Sequence, residues 1–243
     1  MPHRPALLVL GFLTAAFLSS VNGAATPVAP SPDKAPWKNL FDGKTLDGWA
    51  VKGGKAQYEV VNGVIIGTTI LNNNLNSFLC TAKDYGNFIL ELDFLVDSKM
   101  NSGVQIRSEC FDKDKTITYQ GKEIKIRGGK VHGYQVEIDP SSRAWTGGIY
   151  DEGRRLWLVK LDDNKPAQTA FKAGEWNHFR IEAIGTHIRT WLNGVFAADL
   201  TDGMTPRGFI GLQVHQIGKD KSKEGSQVRF RSIRIQDLDT ASR

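Results

Sequence analysis

Three short segments of this chain carry polar side chains at every second position, the spacing that puts residues on one face of a β-strand. Gln105, Arg107 and Glu109 form one such row, Gln135, Glu137 and Asp139 a second, and Gln213 and His215 a third. Glu91 and Asp93 make a shorter fourth row, for which a solvated outer face is the favoured reading. Gln, Arg, Glu, Asp and His, with Trp145, Tyr150 and Tyr134 nearby, are planar hydrogen-bonding and stacking groups suited to sugar hydroxyls and sugar rings. Lys, Ser and Thr would be the commoner choice for a face that merely meets water. The expectation is a carbohydrate groove on one sheet. His215 ends its strand before the polar loop Gly218 to Ser226, which could cover a site. A His titrating near pH ~6.5 is a ready general acid or base.

The elements that must position these rows read as strands from end to end. Segments such as NFILELDFLV, SGVQIRSE, VHGYQVEID, NHFRIEAIG and GFIGLQVH alternate or run apolar between Gly, Asn and Asp signals, and amphipathic helical periodicity is almost absent. From Trp176 to Gly194 the chain reads as strand, turn at Gly185, strand, and an Asn193-Gly194 turn. The fold class expected is all-β, a concanavalin-like jelly-roll sandwich of two antiparallel sheets. Asp112 to Lys130, rich in Lys and Gly, reads as a long solvated loop.

Composition narrows the function classes. Among 243 residues, 31 Lys and Arg face 26 Asp and Glu, a net charge of +5 with no nucleic-acid motif or interleaved aromatics, so no nucleic-acid partner is expected. Residues 1–25 read as a cleaved signal peptide, Arg4 preceding an apolar run that ends in small residues. The run is too short for a membrane span and no later segment is longer. The protein is therefore expected to be exported, periplasmic or secreted. Residues 26–36 form a Pro-rich leader, and 37–243 a single domain, since no linker follows residue 36. In an oxidising compartment Cys80 and Cys110 could pair or remain separate small apolar residues. The sequence leaves the oligomeric state open.

Glu137 and Asp139, roughly 6 to 7 Å apart along a strand, resemble the E-x-D part of the E-x-D-x-x-E strand of laminarinase-like retaining glycosidases. The third acid is missing, because Ser141, Ser142 and Arg143 follow, and the carboxylate pair of ordinary glycoside hydrolysis is incomplete.

A fuller resemblance covers nearly the whole chain after the leader. WKNLFDGKTLDGW (37–49), KDYGNF (83–88), NSGVQIR (101–107), GYQVEID (133–139), TGGIY (146–150), WN (176–177), WLNG (191–194) and GLQVH (211–215) are similar, in order, to the motifs of the 3-keto-disaccharide hydrolase domain family, also called 3-keto-glycoside hydrolase or lyase. The resemblance implies a jelly-roll sandwich acting on a glycoside whose 3-hydroxyl has already been oxidised to a ketone. Such a ketone acidifies the C-2 hydrogen, so that proton abstraction and β-elimination give a 2-hydroxy-3-keto-glycal, and added water completes net hydrolysis. On that reading His215 serves as base or acid, Glu137 as its counterpart or a metal ligand, and Arg107 as the donor holding the enolate. Gln105, Gln135, Asp139, Tyr150 and Gln213 would bind sugar hydroxyls. A divalent cation on Glu137, Asp139 and His215 could chelate the substrate, although no tight ligand spacing demands one. The rival reading is a non-catalytic carbohydrate-binding, lectin-like module.

Overall fold

The computed structural model describes Met1 and residues 35–240. The signal-peptide segment and most of the Pro-rich leader therefore lie outside the described residues. In chain order the strands are β1 (Trp37–Asn39), β2 (Trp49–Gly53), β3 (Gln57–Val61), β4 (Val64–Thr68), β5 (Ser77–Thr81), β6 (Phe88–Val96), β7 (Ser102–Cys110), β8 (Lys115–Tyr119), β9 (Lys122–Ile126), β10 (Val131–Ile138), β11 (Ile149–Glu152), β12 (Leu156–Val159), β13 (Asn177–Ile184), β14 (His187–Leu192), β15 (Val195–Thr201), β16 (Phe209–Val214) and β17 (Gln227–Asp237). One short helix, α1 (Lys165–Ala170), is capped by the Asn164 side chain and packs beside β15.

Two antiparallel sheets face each other. The back sheet runs β15-β14-β13-β6-β17-β4-β3, with β1 added along β17, and the front sheet runs β12-β11-β10-β7-β16-β5-β2. The alternation visible in the sequence explains the layering. In β6, Phe88, Leu90, Leu92 and Phe94 point into the core; in β10, Tyr134, Val136 and Ile138 do so from the other side. All seven are fully buried, each contributing ~1.5 to 3 kcal/mol of transfer free energy for a large apolar side chain. Glu91 and Asp93, of opposite parity, lie on the outer face of the back sheet. There Glu91 pairs with Arg180 and Arg234, and Asp93 with His178 and Arg231, which agrees with a surface role.

The expected long loop at 112–130 is instead largely a hairpin, β8 paired to β9. Its turn, Gln120-Gly121, has two consecutive positive φ angles, 49° and 74°, the backbone of a tight two-residue hairpin turn. The loop after His215 is pinned: Asn72 N–H donates to the Gly218 carbonyl, and the Thr69 hydroxyl to that of Lys223. Cys80 and Cys110 are free thiols. They sit on β5 and β7, which both pair with β16 between them. Two strand spacings, ~9.5 Å, exceed the Cα separation a disulfide spans.

Candidate active site

The polar rows of β10 and β16 point away from the core, onto the outer face of the front sheet. A row crosses neighbouring strands there, with Tyr150 opposite Gln135, Gln135 opposite Gln105, and Gln105 opposite Gly211. Above it opens a groove of about 620 Å³, lined by residues that include Gln135, Glu137, Asp139, Arg143, Tyr150, Glu152, Trp157, Gln213 and His215. The imidazole and the buried acid named from the sequence thus share one cavity.

Amides organise its floor. Gln135 Oε1 accepts from Gln105 Nε2 at 2.9 Å and from Gln213 Nε2 at 3.0 Å, while Gln135 Nε2 donates to Glu137 Oε2 at 2.8 Å. Asn101 Nδ2 donates to the other Glu137 oxygen at 2.6 Å. Gln105, fully buried, belongs to the layer beneath the groove, where it also accepts from the Ser108 hydroxyl. Gly103 pairs with Glu137 across β7 and β10, and a Cβ there would fall 2.6 Å from the Gln135 side chain. A glycine is what lets Gln135 lie flat on the sheet beside Glu137. Gln213 Oε1 is buried without a partner, an acceptor left over for a ligand hydroxyl.

The titratable groups are differentiated. Burial pushes the Glu137 carboxyl up to about 7, with the Asp139 charge adding to the rise, and the amides of Asn101 and Gln135 and the charge of Arg143 resist it. Burial opposes the charge on Asp139 as well, yet bonds from Ser141 and Arg143 outweigh it and hold that carboxyl below the usual range. Arg143 Nε contacts Asp139 Oδ2 at 2.7 Å, and the guanidinium stacks over Trp145 and Trp157 at 4.7 and 5.0 Å. Its Nη2 stands 3.6 Å from Glu137 Oε1. Burial lowers the pKa of His215 from its ordinary value, against the pull of a bond with the Gln216 carbonyl. That carbonyl lies 2.7 Å from Nδ1 and accepts its proton, so the neutral ring carries its lone pair on Nε2. Asn76 fixes this turn by accepting from the Gln216 N–H at 2.9 Å.

Arg107 corrects the sequence reading. β7 carries one extra residue against both neighbours at positions 106–108, and Arg107 itself has φ +45°. This bulge breaks the period-two alternation. The Arg107 side chain is buried away from the groove, donating to the carbonyls of Gly86 at 2.7 Å and Gly185 at 2.8 Å, loop residues beside β6 and β13. It ties the two sheets together and cannot reach a substrate in the groove. The proposed cation ligand set changes too. Both Asp139 oxygens are committed to Ser141 and Arg143, and among the described residues no three His, Cys, Asp or Glu side chains converge on a metal position. Glu137, Asp139 and His215 therefore do not fit a three-ligand site.

Sequence reasoning missed Arg143, Asn101, Asn76, Glu152 and Trp157. Arg143 follows Asp139 by four residues in a loop, and Trp157 pairs with Tyr150 across β11 and β12, the rings edge to face at 5.2 Å. The available signals were the local density of aromatics after Asp139 and, for Asn101, its place at the head of the NSGVQIR motif.

The model of one protein family, described as the 3-keto-alpha-glucoside-1,2-lyase-like domain, matches residues 36–236. The chain belongs to that family. Solved structures similar to this lyase-like domain share its fold at low identity. A candidate glycosyl hydrolase from Parabacteroides distasonis ATCC 8503 is 18% identical with a TM-score of 0.53, covering 83% of this chain and 93% of that one. A second candidate glycosyl hydrolase from the same organism is 22% identical with a TM-score of 0.52, covering 82% and 98%. The carbohydrate-binding module CBM66 from Bacillus subtilis is 15% identical with a TM-score of 0.52, covering 77% and 94%. No curated protein matches the lyase-like domain significantly. Among the described residues no helix is long and apolar enough to cross a membrane.

Proposed function

We propose that this exported domain cleaves glycosides already oxidised to a ketone at C-3, by removing the C-2 proton and eliminating the group at C-1. The observation carrying this reading is the pairing, in one groove, of a neutral His215 with Nε2 unoccupied and a Glu137 held near neutrality, while Asp139 is consumed by Arg143. One base and one acid poised near neutral pH suit elimination; the third acid of the groove, Glu152, is paired with Lys130 at 3.3 Å and accepts from Asn76 at 3.4 Å, so two free carboxylates, which ordinary glycoside hydrolysis needs, are not provided.

The sugar ring packs its C–H face on Trp157 and Tyr150, and the Gln213 oxygen accepts from a hydroxyl. His215 Nε2 takes the C-2 proton, and the C–H electron pair becomes the enolate with its charge on the C-3 oxygen. The Arg143 guanidinium, the cation lining this groove, stabilises that oxygen in place of Arg107. Collapse of the enolate forms the C-1–C-2 double bond and breaks the bond from C-1 to the leaving oxygen, which takes the Glu137 proton. The products are the 2-hydroxy-3-keto-glycal and the free leaving group. Proton return from His215 to Glu137 through solvent resets the site, and water addition to the glycal completes net hydrolysis.

The test is incubation with a 3-keto-glucoside and with its unoxidised parent. Release of the leaving group from the keto form alone supports elimination. Cleavage of the parent would return the site to the ordinary glycosidases, and binding of either sugar without turnover would make the domain a carbohydrate-binding module.

A further inference from the structure

Next to His215 lies a second cavity of about 370 Å³, whose walls include Lys99, Met100, Ile217 and Lys223. Asn101 and His215 line both cavities. Their acid content differs: the acids Glu137, Asp139 and Glu152 line the first with Arg143 as its one cation, whereas Lys99 and Lys223 line the second with no acid. Lys223 is paired with Asp220 at 3.6 Å, with both side chains more than 40% exposed, a pair weak enough to yield to a competing anion. Met100 is buried and, with half-buried Ile217, supplies an apolar patch to the cavity that Lys99 and Lys223 also line. The wall is fixed by the bonds from Asn72 and Thr69 to Gly218 and Lys223.

We propose that this second cavity is the leaving-group subsite, and that it selects leaving groups with an apolar body bearing a carboxylate. The assignment rests on the elimination reading for its direction: the aromatic wall and Glu137 fix the keto-sugar in the first cavity. Asn101, bonded to Glu137 and shared by both cavities, marks where the C-1 oxygen must cross. A carboxylate on the sugar side would meet the ionised Asp139 and Glu152. On the far side it meets Lys99 and Lys223.

The experiment compares the 3-keto-glucosides of 4-hydroxybenzoate and 4-hydroxybenzamide in wild-type protein and in a Lys99→Gln/Lys223→Gln double variant. Comparing the carboxylate-to-amide ratio of kcat/KM between the two proteins cancels intrinsic reactivity. That ratio should be roughly twofold to thirtyfold higher in the wild type, the range for two partly exposed ion pairs, and should shrink with added salt. A ratio unchanged by the double variant overturns the proposal. If the double variant does not fold, Lys99→Gln alone, at an exposed position, should remove a measurable part of the preference, and its failure to do so counts equally against the site. An NMR titration of free 4-hydroxybenzoate and 4-hydroxybenzamide separates this idea from the chemistry. Charge-selective binding lost in the variant, without turnover of any keto-glucoside, keeps the anion subsite and rejects elimination. Turnover with no charge preference in either assay rejects the subsite alone.

Discussion

Replacing Glu137 by Gln should make the protein more stable in alkaline solution while removing its acid. The folded protein raises this carboxyl from an ordinary 4.5 to about 7, mainly by burying it, so it holds its proton more tightly than the unfolded chain does. Folding is therefore favoured while the group is protonated. This contribution is complete below about pH 4.5, declines as the pH rises, and is gone above about 7. The difference between 4.5 and about 7, at ~1.36 kcal/mol per pH unit, corresponds to about 3 kcal/mol. Glutamine mimics the protonated acid, with one oxygen to accept from Asn101 or Gln135 and no charge to bury. At pH 8.5 the Glu137→Gln protein should be more stable than wild type by up to about 3 kcal/mol, or ~6 to 12 °C in Tm for a domain of this size. At pH 4.5 the two should nearly coincide. Thermal unfolding of both proteins across this range makes the comparison, and groups titrating alike in both cancel. A difference that stays constant with pH would refute the argument that burial of the ionised carboxylate is a standing cost of this site.

The same two groups set the rate profile: kcat/KM should be bell-shaped, rising as His215 loses its proton below the ordinary histidine range and falling as Glu137 ionises near 7. His215→Asn keeps a donor for the Gln216 carbonyl but no base, and should lower kcat at least roughly a hundredfold; partial recovery with added imidazole would separate lost basicity from lost structure. Arg143→Met, retaining bulk against Trp145 and Trp157, should cost about a hundredfold in kcat, with Arg143→Lys recovering part of it. Arg107→Met should act on folding, leaving the Gly86 and Gly185 carbonyls unpaired and lowering urea-unfolding stability by ~2 to 4 kcal/mol, while the folded fraction keeps its turnover.

Which parts of this molecule were legible follows from where period-two alternation survives. Gln135 and Glu137 on β10, and Gln213 with His215 at the end of β16, occupy the face their spacing assigns, because those stretches of strand stay regular. Arg107 obeys the same pattern in the sequence and not in space, since one extra residue in β7 reverses its direction, and nothing in S-G-V-Q-I-R-S-E marks that insertion. The β8–β9 hairpin hides its alternation under lysines that decorate a two-stranded ribbon. Asn101, Asn76 and Arg143 reach the groove from outside the strands, so their position depends on tertiary placement and not on any local period. The separation of Cys80 from Cys110 depends on β16 (Phe209–Val214), whose sequence lies far downstream of both.

The central claim is that the bond broken first is C-2–H, in the groove, under His215. The most direct measurement is single-turnover cleavage of a 3-keto-glucoside carrying deuterium at C-2, against the unlabelled compound. A primary isotope effect on leaving-group release, with the deuterium lost to solvent, is the predicted result. Release at the same rate with deuterium retained at C-2 would contradict it.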